Sequence, residues 1–127
     1  MSNISFNQVS IVEQYSEESS RRHIKYGADM GKFDMELPAF SSNMPQITES
    51  SMAACMYRNG GRGILHRFCS IDENIEMYHN ALSEIMILDD RNAPSPYAVG
   101  VSIGVQDEDK DRFHKLYHAG AKLFCID

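Results

Sequence analysis

Tyr97-Ala98-Val99-Gly100-Val101-Ser102 is a short apolar run, rich in β-branched residues, that breaks off at a small polar side chain. Its length and composition suit a buried strand, and the turn-rich Arg91-Asn92-Ala93-Pro94-Ser95-Pro96 leads into it, each proline removing a donor and biasing the preceding residue toward extended geometry. Three other runs have the same form: Leu37-Pro38-Ala39-Phe40-Ser41-Ser42, Gly63-Ile64-Leu65-His66 and Lys122-Leu123-Phe124-Cys125-Ile126-Asp127. Segments of helical periodicity separate them. Apolar strands alternating with helices define parallel β/α units, so the fold class is α/β with about four parallel strands and intervening helices. In such folds the carboxyl ends of the strands form the functional face. Ser41 to Met44, His66 to Phe68, Ser102 to Gly104 and Asp127 are therefore expected to converge on one surface.

The helix signals are local and physical. Thr48-Glu49-Ser50-Ser51 opens the first helix, Met52, Ala53, Met56 and Tyr57 recur at helical spacing, and Asn59-Gly60-Gly61 supplies a left-handed stop. Ser70-Ile71-Asp72-Glu73 fits a capping box and precedes the stripe Ile71, Ile75, Tyr78 and Leu82. A third helix starts within Gln106 to Asp109, where carboxylates oppose the helix dipole, buries Phe113, Leu116 and Tyr117, and ends at Gly120. Residues 1–36 read as an irregular arm, with Phe6 to Val12 a candidate short strand, and residues 37–127 as the domain that holds the alternating strands and helices.

A chain of 127 residues with 43% apolar content and 24% charge suits one domain with a real core. The net charge of -6 argues against nucleic acid or an acidic membrane as partner, although Arg58, Arg62 and Arg67 gather near the second run. No apolar stretch is long enough to cross a bilayer, and the amino terminus lacks the layout of an export signal, so a cytoplasmic protein is expected. Cys55, Cys69 and Cys125 have neither zinc nor disulfide spacing and are read as reduced thiols. The acidic run Asp107 to Asp111 lacks the spacing of a calcium loop and reads as a solvated helix start. No metal site is expected.

The order of Leu37 to Met44 followed by Thr48-Glu49, of Gly63 to Phe68, of Val99-Gly100-Val101-Ser102-Ile103-Gly104-Val105, and of Ala119-Gly120-Ala121 with Cys125-Ile126-Asp127 resembles the IMP dehydrogenase and GMP reductase family. Phe6 to Val12 and Ser20-Arg21 look like that family's opening segment and its Ser-Arg pair. The resemblance implies the first half of a (β/α)8 TIM barrel that binds a purine nucleotide, GMP or IMP, and a nicotinamide cofactor. It also implies a homo-oligomer or pairing with a second half-barrel. The family's catalytic cysteine lies in the second half, and none of the three cysteines here matches it, so no catalytic residue is assigned and an amino-terminal fragment, inactive alone, is expected. The short connection between the second and third runs, without room for a regulatory CBS pair, looks more like a GMP reductase using NADPH, with an IMP dehydrogenase that lacks the insert and uses NAD as the runner-up. A noncatalytic half-barrel that assembles with another chain is the rival from a different class.

By the same resemblance, Ser42, Asn43 and Met44 match the loop that lies against the nucleotide; the alternative is a plain strand-to-helix connection. Arg67 matches a basic position near the cofactor phosphate, or is a solvated arginine. Ser102, Gly104 and Asp127 fall on the cofactor side, Asp127 matching an aspartate near the nicotinamide ribose. Ser20 and Arg21 match a pair that reaches cofactor across a subunit boundary, or form a polar loop. Pro45-Gln46 stands where the family often has Asp. His66 reads as a hydrogen-bonded strand-end residue, no carboxylate being identifiable beside it from sequence.

Overall fold

The computed structural model describes residues 5–88 and 93–127. Arg91 and Asn92 of the expected turn lie outside them. In chain order the elements are β1 (Ala28–Asp29), β2 (Asp34–Met35), β3 (Phe40–Ser41), α1 (Ser50–Arg58), β4 (Arg62–Leu65), α2 (Ile71–Leu88), β5 (Val99–Ile103), α3 (Asp107–His118) and β6 (Leu123–Ile126). β3, β4, β5 and β6 pair in that order and all in parallel, with Ile64 opposite Gly100 and Gly100 opposite Leu123. The parallel direction is what the alternation of runs predicts, and the sequential order is that of the first four units of a (β/α)8 barrel, as the resemblance implies.

Side chains alternate across the sheet. Leu65, Val99 and Val101 turn toward the helices and join Ala53, Ala54, Tyr78, Ala81, Ile85 and Leu116 in one buried cluster. Gly63 faces α1 at a point of near contact: a Cβ there would stand 2.5 Å from the Cα of Ala53. Ile64, Gly100 and Leu123 share the opposite face, since a Cβ on Gly100 would meet the side chains of both neighbours. The apolar stripe of α1 turns out narrower than its sequence suggests, because Ala53 and Ala54 are buried while Met52 is exposed. The small residues let α1 lie flat on β4. In α3, Leu116 is buried and Phe113 packs on Phe124 at 4.7 Å between ring centroids, while Tyr117 remains largely exposed.

The caps follow the sequence closely. Ser70 and Glu73 form the reciprocal box: the Glu73 amide donates to Ser70 Oγ at 3.2 Å, and the Ser70 amide donates to Glu73 Oε2 at 2.8 Å. Gly60 and Gly120 end α1 and α3 in the left-handed region, with φ of 83° and 111°. The Ser70 hydroxyl and amide hold the Glu73 carboxyl below its ordinary range. Because its folded pKa is depressed, this contribution is present above the ordinary carboxylate pKa and is lost as pH falls through the folded value. The melting-temperature gap between the parent and Ser70→Ala is therefore expected to be widest at neutral pH and to narrow in acid, in a series of thermal melts; a gap independent of pH would contradict the box.

The amino-terminal arm departs from expectation in two ways. Phe6 to Val12 is not a strand: Phe6–Gln8 forms a single 3-10 turn, and Val9, Ile11 and Val12 are exposed. The arm also contains the β1-β2 hairpin. Arg62, at the start of β4, anchors it. Its guanidinium lies between the rings of Phe33 and Tyr57, 5.1 and 4.9 Å from their centroids, and donates to the Asp34 carbonyl at 3.0 Å. Burial lowers its pKa, with Tyr57 opposing the shift. Arg58, Arg62 and Arg67 thus form no common basic patch, since Arg62 is buried at the amino end of β4 and Arg67 follows its carboxyl end.

Candidate functional site

Parallel pairing brings the four strand ends to one edge of the sheet, which carries Ser41 to Met44, His66 to Phe68, Ser102 to Gly104 and Asp127. At the end of β3, Thr48 is fully buried; its hydroxyl donates to the Ser42 carbonyl and bonds Ser41 Oγ at 2.9 Å. Thr48 thus fastens the strand end, and the helix begins two residues later. The Met44 carbonyl accepts the Ile47 and Thr48 amides, and Gln46 adopts a left-handed φ of 65°, so Pro45-Gln46 makes a tight turn. Ser42 and Met44 are exposed and Asn43 half-buried. Ser42 and Asn43 line a groove of about 400 Å³ with Phe40, Ile64, Leu123 and Cys125, on the face of the sheet that carries no helix.

At the end of β4, His66 is buried and its Nδ1 accepts the Phe68 amide at 3.2 Å. The neutral ring then carries its proton on Nε2, which lies 4.0 Å from a Glu49 carboxylate oxygen. Folding thus supplies the carboxylate that sequence left unidentified. Arg67 spreads over the Phe68 ring, 5.2 Å from its centroid. Its buried Nε has no hydrogen-bond partner among the described residues and stands 3.5 Å from Asp127 Oδ2 in an ion pair. The Asp127 amide in turn donates to the Ile103 carbonyl at 2.9 Å. Two residues nominated for different contacts, Arg67 and Asp127, are in this way brought together across β5.

Other nominated residues have structural occupations. Ser102 is fully buried and its hydroxyl donates to the Leu65 carbonyl at 2.9 Å, stitching β5 to β4. Gly104 leaves room for the Asp109 carboxylate, which accepts the Gln106 amide at 3.0 Å and caps α3. Ser20 caps a 3-10 turn through the Arg22 amide; the hydrogen bonds of this Ser20–His23 turn are local and do not bring Arg21 to the strand ends. Asp107 and Asp111 pair with Lys110 and Lys115 on the surface of α3. Cys55 is exposed on α1 and Cys125 lies in β6. Burial pushes the Cys69 thiol up, with Arg112 opposing, so this sulfur is a weak nucleophile.

Sequence reasoning missed the polar joint behind the Arg67 loop. Asn74, on α2, is fully buried; its Nδ2 donates to the His66 carbonyl at 3.1 Å and its Oδ1 accepts Arg112 at 2.9 Å. Arg112, on α3, also donates to the Cys69 carbonyl at 2.7 Å. One signal was readable: Asn74 sits three residues after Ile71 and four before Tyr78, on the apolar stripe, where an amide requires partners.

The family model described as IMP dehydrogenase / GMP reductase domain matches residues 3–127. The inosine-5'-monophosphate dehydrogenase of Nitrosopumilus maritimus is 33% identical over 116 residues, which cover 85% of this chain and 23% of that protein. A GMP reductase of Leishmania donovani is 35% identical over 75 residues, 58% of this chain and 15% of that protein. Among solved structures, inosine 5'-monophosphate dehydrogenase from Legionella pneumophila superposes on 98% of the chain with a TM-score of 0.77 and 36% identity, over 35% of its own length. The chain therefore spans between about a seventh and a third of the length of these proteins. With the family model matching from residue 3 to residue 127, this chain belongs to the IMP dehydrogenase / GMP reductase family.

Proposed function

We propose that this chain supplies part of the nucleotide and cofactor walls of a GMP reductase-like oxidoreductase, whose whole form reduces and deaminates GMP to IMP with NADPH in the cytoplasm. The observation that carries the reading is the Arg67-Asp127 ion pair at the strand-end edge, made through Arg67 Nε at 3.5 Å. A partly exposed guanidinium suits an anionic phosphate, and a neighbouring carboxylate suits sugar hydroxyls, so these residues fit a phosphorylated nicotinamide cofactor. When bound, that cofactor supplies hydride chemistry. Ser42, Asn43 and Met44 form the nucleotide side, offering a hydroxyl, an amide and a flexible thioether. Ser102 and Gly104 shape the cofactor wall by packing, and Ser20 and Arg21, away from the strand ends of their own chain, would reach the cofactor of a neighbouring subunit in a homo-oligomer. The three free thiols suit a reducing compartment.

An IMP dehydrogenase-like wall, taking IMP and NAD, is the second reading. It is favoured by the dehydrogenase relatives, one of which aligns over 85% of the chain. Thermal melts with GMP, IMP, NADPH and NAD added separately distinguish the two. NADPH and GMP are expected to raise the melting temperature, by an amount equivalent to about 2–3 kcal/mol at a hundredfold excess over Kd. Arg67→Met is expected to abolish the NADPH shift and leave the GMP shift. Stabilisation by IMP and NAD alone would select the dehydrogenase reading, and stabilisation by none of the four would overturn both.

A further inference from the structure

The loop between β4 and α2 carries Arg67 and Phe68 between two carbonyls, those of His66 and Cys69, and both carbonyls are held by side chains from helices. Asn74 of α2 holds the first at 3.1 Å, and Arg112 of α3 holds the second at 2.7 Å while bracing Asn74 at 2.9 Å. Arg112 is 43 residues from Cys69 in sequence and belongs to the next β/α unit. Its two terminal nitrogens go to different acceptors, a division that a planar guanidinium makes without rearrangement and that a lysine, with one nitrogen, does not reproduce.

Between these fastenings the loop has one further internal bond, from the Phe68 amide to His66 Nδ1. Arg67 lies on the Phe68 ring and pairs with Asp127 at 3.5 Å, so its guanidinium is placed by this loop together with the residue that follows β6. We propose that Arg112 is a positioning residue: acting through Asn74 and the Cys69 carbonyl, it fixes the Arg67 loop and so presents the Arg67 guanidinium to the anionic group of the cofactor. The second step rests on the cofactor reading proposed above; the first stands on the hydrogen bonds alone. In this arrangement the third β/α unit governs a contact made by the second.

Amide hydrogen exchange at Phe68 tests the first step. In Arg112→Met, exchange of this amide is expected to quicken roughly tenfold while amides of β4 and β5 keep the protection of the parent. Unchanged exchange at Phe68, or an equal rise throughout the sheet, overturns the proposal. Should Arg112→Met fail to fold, Arg112→Lys retains the charge on a single donor nitrogen, and a smaller but local rise is expected; its absence is equally fatal. The second step is read from cofactor titrations. Arg112→Met should weaken NADPH by roughly tenfold and NADH little, as loss of one charge-assisted contact predicts. Added to Arg67→Met it should cost nothing more. Equal weakening of both cofactors, or additivity, overturns the link to Arg67. If the parent binds neither cofactor, the reading of the site falls, while Phe68 exchange still decides the role of Arg112.

Discussion

A methyl group at position 63 is expected to destabilise the domain by about 1–3 kcal/mol. The added Cβ of Gly63→Ala would stand 2.5 Å from the Cα and 2.8 Å from the Cβ of Ala53, and 3.3 Å from a methyl of Thr48. The first of these is backbone, so relief requires α1 to lift from β4. Lifting α1 would also strain Thr48, which fastens the end of β3. For a domain of this size the melting temperature should drop by about 3–6 °C per kcal/mol. Gly100→Ala provides the comparison: its Cβ meets the ends of Ile64 and Leu123, which can rotate away, and a smaller drop is expected. Calorimetry on the two variants decides the matter, and a Gly63→Ala protein as stable as the parent would mean that α1 does not bear on the sheet there.

The second large effect is expected at Asn74. Replacement by leucine keeps the number and branching of side-chain heavy atoms but leaves the His66 carbonyl and one Arg112 N–H without the partners Asn74 supplies, at a cost of about 2–4 kcal/mol. The cost arises mainly from the stranded groups. Removing Arg112 as well should therefore recover part of it, and denaturant unfolding of Asn74→Leu, Arg112→Met and the double variant should give a double-variant loss smaller than the sum. Strict additivity would mean that the two side chains do not share one network. Asn74→Leu is also the more informative substitution for the site, because its damage falls on the loop that holds Arg67.

The sheet and helices were legible because their determinants are local. Val99 to Ser102 and its three counterparts announce strands by composition and length; Ser70 with Glu73, and Gly60 and Gly120, announce helix ends by residue types that few other situations require. The β1-β2 hairpin was not legible, since two-residue strands show no periodicity and draw their order from Arg62, nearly thirty residues away. Arg62 itself read as part of a basic cluster because sequence does not reveal which end of a strand a cation occupies. For the site, the strand-end positions of Ser42, Arg67, Ser102 and Asp127 followed from parallel topology. What each side chain does there did not follow: Ser102 is committed to a carbonyl, Gly104 to Asp109, and Arg67 to Asp127. The assignments of Ser102 and Arg67 depend on neighbours brought in from other units, and that of Gly104 on the helix of its own unit.

Arg62 riveted between two aromatic rings divides the molecule's labour between its two poles. The hairpin is secured at the amino ends of the strands, and the residues nominated for ligand contact occupy the carboxyl ends. Drift in residues 28–35 is thereby registered as altered robustness of the scaffold, and drift in residues 66–69 as altered grip on small molecules, so the two properties are free to evolve at separate tempos.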